Sequence, residues 1–151
     1  MDNINHWRIQ FMRTLPTLSA VLLSLTLIFY TAISNADDGE SSRKWIGKGY
    51  DINGGWNISE QDGKQILTFD EDFSTRKGPD LKIYLSRESI QKVKGRSVTK
   101  SSVLISPLKS EKGAQQYELP SDLNLDDFSS VLIHCEAYAH LWGGGSLKDG
   151  E

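Results

Sequence analysis

Cys135 is the only cysteine of this 151-residue chain, and histidines lie on both sides of it in the sequence, at His134 and His140. Thiolates and imidazoles are ligands for zinc, copper and iron, so these three residues are candidates for binding a metal ion or a metal-containing cofactor. A thiolate is also a nucleophile and a redox group once nearby positive charge or a metal lowers the thiol pKa from about 8.5. Cys135 is therefore the first candidate for catalytic or redox chemistry.

The apolar strand predicted to end at Cys135 favours a different role for the thiol. Side chains alternate between the two faces of a strand, so Cys135 shares a face with Val131 and Ile133, whereas His134 faces the other way. Apolar surroundings are typical of a buried, inert cysteine, and they also suit an axial thiolate ligand to haem. A turn after the strand would return His140 to the side of Cys135. The thiol is thus an inert core residue, a redox group, or a ligand to a metal or haem.

Residues 1–36 have the layout of a secretory signal peptide. A basic region precedes an uncharged, mostly apolar run, Leu15–Ile33, and the small residues Ser34 and Ala36 occupy the −3 and −1 positions of a cleavage site. We therefore predict an exported protein, either periplasmic or extracellular. The alternative is an uncleaved hydrophobic helix that anchors the protein, because the run approaches the roughly 20 residues that a membrane helix needs. Membrane contact is expected only through this segment.

An unpaired cysteine is unusual in an exported protein, because cysteines usually form disulfide bonds in oxidising compartments. A lone thiol in such a chain is inert, bonded to another chain, capped or used chemically. The net charge of −3 and the absence of a basic stripe argue against a nucleic-acid partner. No hydrolase or dinucleotide-binding motif is present in the sequence, so an electron-transfer or binding domain is favoured over a stand-alone enzyme.

The elements that position these residues are predicted to be short strands separated by glycine turns. We predict a flexible tail over residues 37–44, one β domain over residues 45–147, and a tail over residues 148–151. The strands are expected at 56–59, 65–69, 81–85, 103–108, 115–119, 130–135 and 138–142, with an Asp-Gly hairpin turn after the first. A short helix is expected at 87–94 and one helical turn at 123–128. The predicted fold is an all-β, antiparallel sandwich or barrel-like domain, preceded by the hydrophobic signal helix.

Four segments in a fixed order carry a resemblance that covers nearly the whole predicted domain. They are Asp72–Thr75, Gly78–Leu85, Gly113–Pro120, and the strand Ser130–Cys135 that follows Phe128. Together they resemble the DM-thirteen (electron-transfer DM-thirteen) domain family. The positions that match its structural motifs are Asp72, Phe73, Gly78, Pro79, Asp80, Tyr84, Tyr117 and Pro120.

The resemblance implies an exported all-β domain with a redox or electron-transfer role centred on the matching cysteine, Cys135. It also implies haem or metal chemistry and partners such as cytochromes or other redox proteins of the cell envelope. The chain departs from the family pattern where His134 replaces an aromatic residue, often tryptophan, before the cysteine. The alternative function is a non-catalytic module of the envelope that binds a ligand or protein, with an inert cysteine.

Several motif residues have simpler roles. Asp72 and Asp80 flank a Gly78-Pro79 turn, where paired carboxylates could serve acid–base chemistry or calcium binding. We expect Asp80 to bond backbone amides of the turn instead, and Gly78 to adopt an unusual backbone angle. The tryptophans at 45, 56 and 142 could line a sugar or haem pocket, although core packing is the simpler expectation.

Overall fold

Short antiparallel strands make up most of the chain between Ser42 and Lys148, the residues described by the structure, a computed structural model. The predicted signal segment and the last three residues lie outside this range. The strands are β1 Arg43–Lys44, β2 Ile46–Gly47, β3 Ile52–Asn53, β4 Gly55–Gln61, β5 Lys64–Phe69, β6 Ser74–Thr75, β7 Leu81–Ser86, β8 Ser102–Pro107, β9 Gln115–Glu118, β10 Ser130–Cys135 and β11 His140–Ser146.

Two main sheets define the architecture. One has the order β1-β4-β5-β9 and the other the order β2-β11-β10-β7-β8, and all strand pairs in both are antiparallel. Strands β3 and β6 form a small separate pair. Buried side chains from both main sheets belong to one cluster, so the sheets pack face to face as in a sandwich. The prediction of an all-β, antiparallel fold is confirmed.

The hairpin between β4 and β5 follows directly from its turn residues. Asp62 and Gly63 have φ angles of 51° and 76°, the left-handed values that a two-residue hairpin turn requires. The adjacent strands stay in register from Trp56 opposite Phe69 to Gln61 opposite Lys64. Strand β1 pairs with the start of β4, so Arg43–Lys44 is ordered structure within the stretch predicted to be a flexible tail.

Aromatic side chains fill the core between the sheets. Phe69 is fully buried, with ring centroids 4.8 Å from Trp45, 4.7 Å from Phe73 and 5.3 Å from Tyr117. Trp45 also lies 5.6 Å from Trp56. The tryptophans at 45, 56 and 142 are all buried in this core, in agreement with the simpler expectation, and the cluster joins the two sheets.

A second, smaller cluster covers the outer face of the five-stranded sheet. Tyr84, Leu132 and Leu141 project from β7, β10 and β11 and pack against Ile90 and Val98 of the β7–β8 connection. Strand β10 is consequently buried on both faces, and every one of its residues is buried. This double burial explains its continuous apolar sequence.

The predicted helix at 87–94 is wrong. That stretch consists of turns, and a 3-10 turn at Gly95–Ser97 followed by a single α-helical turn, α1 Val98–Ser101, comes directly after it. Gly95, which was expected to end a helix, is therefore the first residue of a 3-10 turn. Val98 is fully buried in the outer cluster, so tertiary packing positions the helical turn. The turn expected at 123–128 is present as Leu125–Asp127, with the Asn124 side chain accepting a hydrogen bond from the Asp126 N–H.

Strand β11 runs through three consecutive glycines, where the sequence had suggested that a strand ends. A Cβ at Gly143 would lie 2.6 Å from the Ile46 carbonyl oxygen, and one at Gly144 would lie 2.5 Å from the Val131 carbonyl oxygen. A Cβ at Gly145 would lie 2.5 Å from Trp56 Nε1. The glycines thus allow the strand to approach its neighbours closely. None of the helices in residues 42–148 has the length and apolar character needed to cross a membrane.

Candidate functional site

Cys135 is the last residue of β10 and has no exposed surface. Its side chain belongs to the core between the sheets, with Val131 and Ile133, whereas Leu132 belongs to the outer cluster. The alternation of faces predicted from the sequence is thus present. The thiol is free of any disulfide.

A tight turn brings His140 back to Cys135. Residues Glu136–Tyr138 form a 3-10 turn, and Ala139 adopts the left-handed conformation, with φ 48° and ψ 40°. His140 then pairs directly with Cys135 in the register of β10 and β11. Directly opposed residues of an antiparallel pair project to the same face, so His140 lies on the Cys135 side, as the sequence suggested. The His140 side chain is exposed, unlike the thiol.

Aromatic rings connect this strand end to the surface. The His140 ring packs edge-on against Tyr50 and Trp142, at centroid distances of 5.5 and 6.1 Å. Tyr50 stacks on Trp142 at 3.8 Å, and the Trp142 indole N–H donates a 3.1 Å hydrogen bond to the Thr75 hydroxyl. Sequence reasoning missed Tyr50, because an isolated tyrosine in a glycine-rich loop carries no periodic signal.

His134 faces the outer cluster and so does not join Cys135 and His140. It is fully buried, packs edge-on against Tyr84 at 5.9 Å, and neither ring nitrogen has a hydrogen-bond partner among the described residues. Burial lowers the pKa of His134 below its ordinary value, and the Glu136 carboxylate opposes this shift only in part. The imidazole is therefore neutral near pH 7.

His134 is expected to make the stability of the domain depend on pH. Its folded-state pKa is lower than the ordinary 6.5, so the unfolded chain binds a proton that the folded domain does not as the pH falls below 6.5. Wild-type protein should lose up to about 1.4 kcal/mol of unfolding free energy from this group at pH 5.5. His134→Leu should lose that dependence. Urea denaturation at pH 7.5 and 5.5 measures both.

The matched control is His140→Gln, which removes the other histidine of the described chain. If the unfolding free energy of His134→Leu depends on pH as strongly as that of the wild type, His134 is not the group responsible. At pH 7.5 the leucine variant should be about 1 kcal/mol more stable than wild type, because it removes buried polar atoms that have no partners.

A charged cluster lies beside His134 at the same end of the sheet. Glu136 accepts hydrogen bonds from Lys82 Nζ, at 2.6 Å, and from the Tyr84 hydroxyl, while Asp80 lies 3.4 Å from Lys82 Nζ. The bonds from Lys82 and Tyr84 hold the pKa of Glu136 below its usual range, and the Glu136 bond raises the pKa of Lys82. Burial, with the bond to Glu136, raises the pKa of Tyr84. The cluster fixes the turn that carries His140.

Two expectations for motif residues are wrong. The Asp80 carboxylate pairs with Lys82 rather than with backbone amides, because the two residues project from the same face of the strand start. Gly78 is not among the glycines with positive φ. A Cβ there would lie 2.7 Å from Leu81 Cδ2 and 3.2 Å from the Trp142 ring, so close packing requires the glycine.

The remaining motif residues are distributed between core and surface. Phe73 and Tyr117 are buried, and the Tyr117 hydroxyl donates to Gln115 Oε1 at 2.5 Å and accepts from the Lys109 N–H at 2.9 Å. Asp72, Pro79 and Pro120 are exposed. Phe73 and Tyr117 therefore contribute to core packing, and the Tyr117 hydroxyl also holds the loop that contains Lys109.

A metal or haem bound through Cys135 does not fit the folded domain. The sulfur has no exposed surface, and residues 42–148 contain no group of three or more His, Cys, Asp or Glu side chains placed to hold a metal ion. The groove described below and a smaller cavity beside Trp56 are lined by neither Cys135, His134 nor His140. Ligation by Cys135 would require the end of β10 to open.

The fold and this site define a small antiparallel β domain with a buried cysteine at a strand end, next to a surface aromatic cluster. A family model described as electron transfer DM13 matches residues 44–144. The chain belongs to the electron transfer DM13 family, which confirms the resemblance carried by its four motifs. No curated protein and no solved structure matches the chain.

Proposed function

We propose that this domain transfers electrons outside the cytoplasm, with Cys135 as the residue that changes oxidation state. The observation that carries the proposal is the direct pairing of Cys135 with His140, whose ring contacts Trp142 and Tyr50. Tyr50 is partly exposed, so these three rings extend from the residue opposite Cys135 to the surface. Membership of the electron transfer DM13 family supports the same role.

The burial of Cys135 determines how it would exchange electrons. Thiol–disulfide exchange requires one sulfur to reach another, and the buried thiol offers no such access, to a reagent or to a second chain. Transfer through packed aromatic side chains does not need that contact. Trp142 belongs to the same buried cluster as Cys135 and stacks on Tyr50. We therefore place the docking site of the redox partner at Tyr50 and His140.

The proposed step is the loss of one electron and one proton from the thiol. Cys135 gives the electron, through Trp142 and Tyr50, to an oxidised metal centre of a partner protein whose reduction potential exceeds that of the thiol. The S–H bond breaks, and we assign the proton to the imidazole of His140, the residue directly opposite Cys135 in β11. When the reduced partner returns the electron, the proton returns from His140 and the S–H bond forms again.

A photochemical experiment tests this step without knowledge of the partner. Photogenerated tris(bipyridine)ruthenium(III) removes one electron from an aromatic residue, and transient absorption then follows the decay of the tryptophan or tyrosine radical. The radical should decay at least about tenfold faster in wild-type protein than in Cys135→Ala, a ratio that corresponds to 1.4 kcal/mol in the activation barrier. Val131→Ala, which shortens a side chain on the same face, is the control. Equal decay in all three proteins would rule out Cys135 as the redox residue.

A binding module with an inert cysteine is the second candidate. A groove of about 460 Å³ beside Tyr50 favours it, because Asn53, Ser74, Arg76 and Lys112 contribute polar and charged groups to its lining. The Arg76 guanidinium lies 5.6 Å from the centre of the Tyr50 ring. This candidate predicts that Cys135→Ala leaves every cellular phenotype of the protein intact, whereas Tyr50→Ala does not.

A further inference from the structure

The small β3–β6 pair forms part of the wall of the groove beside Tyr50. Asn53 lies opposite Ser74 in this pair, and its side-chain amide donates a 3.1 Å hydrogen bond to the Ser74 hydroxyl. The Thr75 hydroxyl donates a 3.1 Å hydrogen bond to the Asp51 carbonyl oxygen. The groove volume of about 460 Å³ lies within the roughly 300–1,000 Å³ of small-molecule sites. The wall is therefore held by hydrogen bonds, and the groove is large enough for a small ligand.

Backbone contacts place Lys112 beside β6, where it lines the same groove. The Gly113 N–H donates a 2.9 Å hydrogen bond to the Phe73 carbonyl oxygen, and Lys112 forms an antiparallel bridge with Ser74. The Lys112 ammonium group forms no hydrogen bond or ion pair with any residue between 42 and 148. An uncommitted positive charge is thus anchored next to the β3–β6 pair.

Arg76 supplies a second cation to the groove. Its guanidinium carbon is 5.6 Å from the centre of the Tyr50 ring, and this cation–π contact uses none of its five N–H donors. Within the part of the chain that the structure describes, the guanidinium forms no hydrogen bond and no ion pair. Because a guanidinium binds a carboxylate through two parallel N–H bonds, Arg76 is suited to an anionic ligand.

The other polar groups of the groove favour hydroxyl groups on that ligand. Asp51 is the one acidic residue in the described lining, and it forms no ion pair with the two cations, so an anion remains favoured there. The Asp51 carboxylate and the Asn53 side-chain oxygen can accept hydrogen bonds from hydroxyl groups. The Ser74 hydroxyl can donate one, because its bond from Asn53 uses only its oxygen.

We propose that this groove binds a sugar that carries a carboxylate, such as a hexuronate. Its carboxylate lies between the Arg76 guanidinium and the Lys112 ammonium group, and its hydroxyl groups bond with Asp51 and the polar side chains of the β3–β6 pair. The assignment rests on the second candidate function, the binding module. It is independent of electron transfer, because neither Cys135 nor His140 lines the groove.

Sodium glucuronate is the probe, titrated at constant ionic strength into the full chain labelled with ¹⁵N. The backbone amide resonances of Asn53, Ser74 and Arg76 should shift and saturate with one dissociation constant. Glucose lacks the carboxylate and acetate lacks the hydroxyl groups, so each should bind at least about tenfold more weakly. Cys135→Ala should bind glucuronate as the wild type does, which separates a failure of electron transfer from a failure of this site.

Charge-neutralising variants test the two cations. Arg76→Gln and Lys112→Gln should each weaken glucuronate binding at least about tenfold, because each removes a charged hydrogen-bond donor. Arg87→Gln is the matched control and should bind as the wild type does. Arg87 is also exposed and lies over an aromatic ring, 5.1 Å from the centre of Phe128, but it does not line the groove.

Three results would overturn the proposal. The first is an absence of saturable shifts of the groove resonances with glucuronate. The second is equal affinity for glucose, or equal effects of Arg76→Gln and Arg87→Gln, since either result would mean that the groove cations do not select the ligand. The third is equal affinity for acetate, which would mean that the groove does not recognise a sugar.

Discussion

Phe69→Ala is expected to remove about 3–5 kcal/mol of the free energy of unfolding. Phe69 is fully buried, and its ring contacts those of Trp45, Phe73 and Tyr117. Truncation to alanine therefore leaves a cavity between these three rings. Domains of this size have total stabilities of about 5–15 kcal/mol, so the variant should be marginally stable. Urea denaturation followed by tryptophan fluorescence measures the shift of the midpoint.

Phe69→Leu is the matched control, because it keeps an apolar side chain in the same space and should cost less than the alanine variant. A loss below 1 kcal/mol for Phe69→Ala, at an unchanged dependence on urea, would contradict the aromatic cluster as the centre of the fold. A change in that dependence would instead indicate a change in the denatured state or in two-state behaviour.

Alkylation of Cys135 is expected to be at least about 10³-fold slower in the folded protein than in guanidinium chloride. The thiol has no exposed surface, so a reagent such as iodoacetamide reaches it only when the chain opens. The open population of a stable small domain is on the order of 10⁻³ or less. Mass spectrometry over a time course measures the rate.

An exposed thiol in the same fold provides the comparison. Ser101→Cys in a Cys135→Ala background places a cysteine at an exposed position of α1 and should react as fast as a free thiol. Similar rates at positions 135 and 101 would show that the end of β10 opens readily. That result would restore a metal–thiolate site and a disulfide with another chain as roles for Cys135.

Local patterns were sufficient to predict most of the longer strands and one tight turn, but not the two-residue strands β1, β2, β3 and β6 or the end of β11. Alternating apolar residues around Leu81–Leu85 predicted a strand with one buried face, and the apolar run of β10 predicted a strand buried on both. Both strands lie where they were expected. The Asp62-Gly63 turn was equally local, because its two residues tolerate positive φ. The helix expected at 87–94 failed because tertiary packing of Val98 selects a later stretch.

The site depended on information that is not local. The return of His140 to Cys135 could be anticipated, since a turn after a strand reverses the chain within a few residues. The contacts of Tyr50 with Trp142, and of Lys82 and Tyr84 with Glu136, depend on which strands are neighbours and on their register. Sequence separations of 52 and 54 residues join the partners of Glu136. No periodicity within one strand encodes such pairs.

The place of β11 in the sheet has a consequence for the synthesis of the chain. This strand is the last one of the described chain, yet it lies between β10 and β2, one of the first. The five-stranded sheet therefore cannot be completed until all of its other strands have been synthesised. Three glycines lie in β11, so the strand contributes few apolar side chains. Its stability therefore depends on close contact with the neighbouring strands that are already in place. The sheet therefore closes late, when β11 is added between two strands that were synthesised before it.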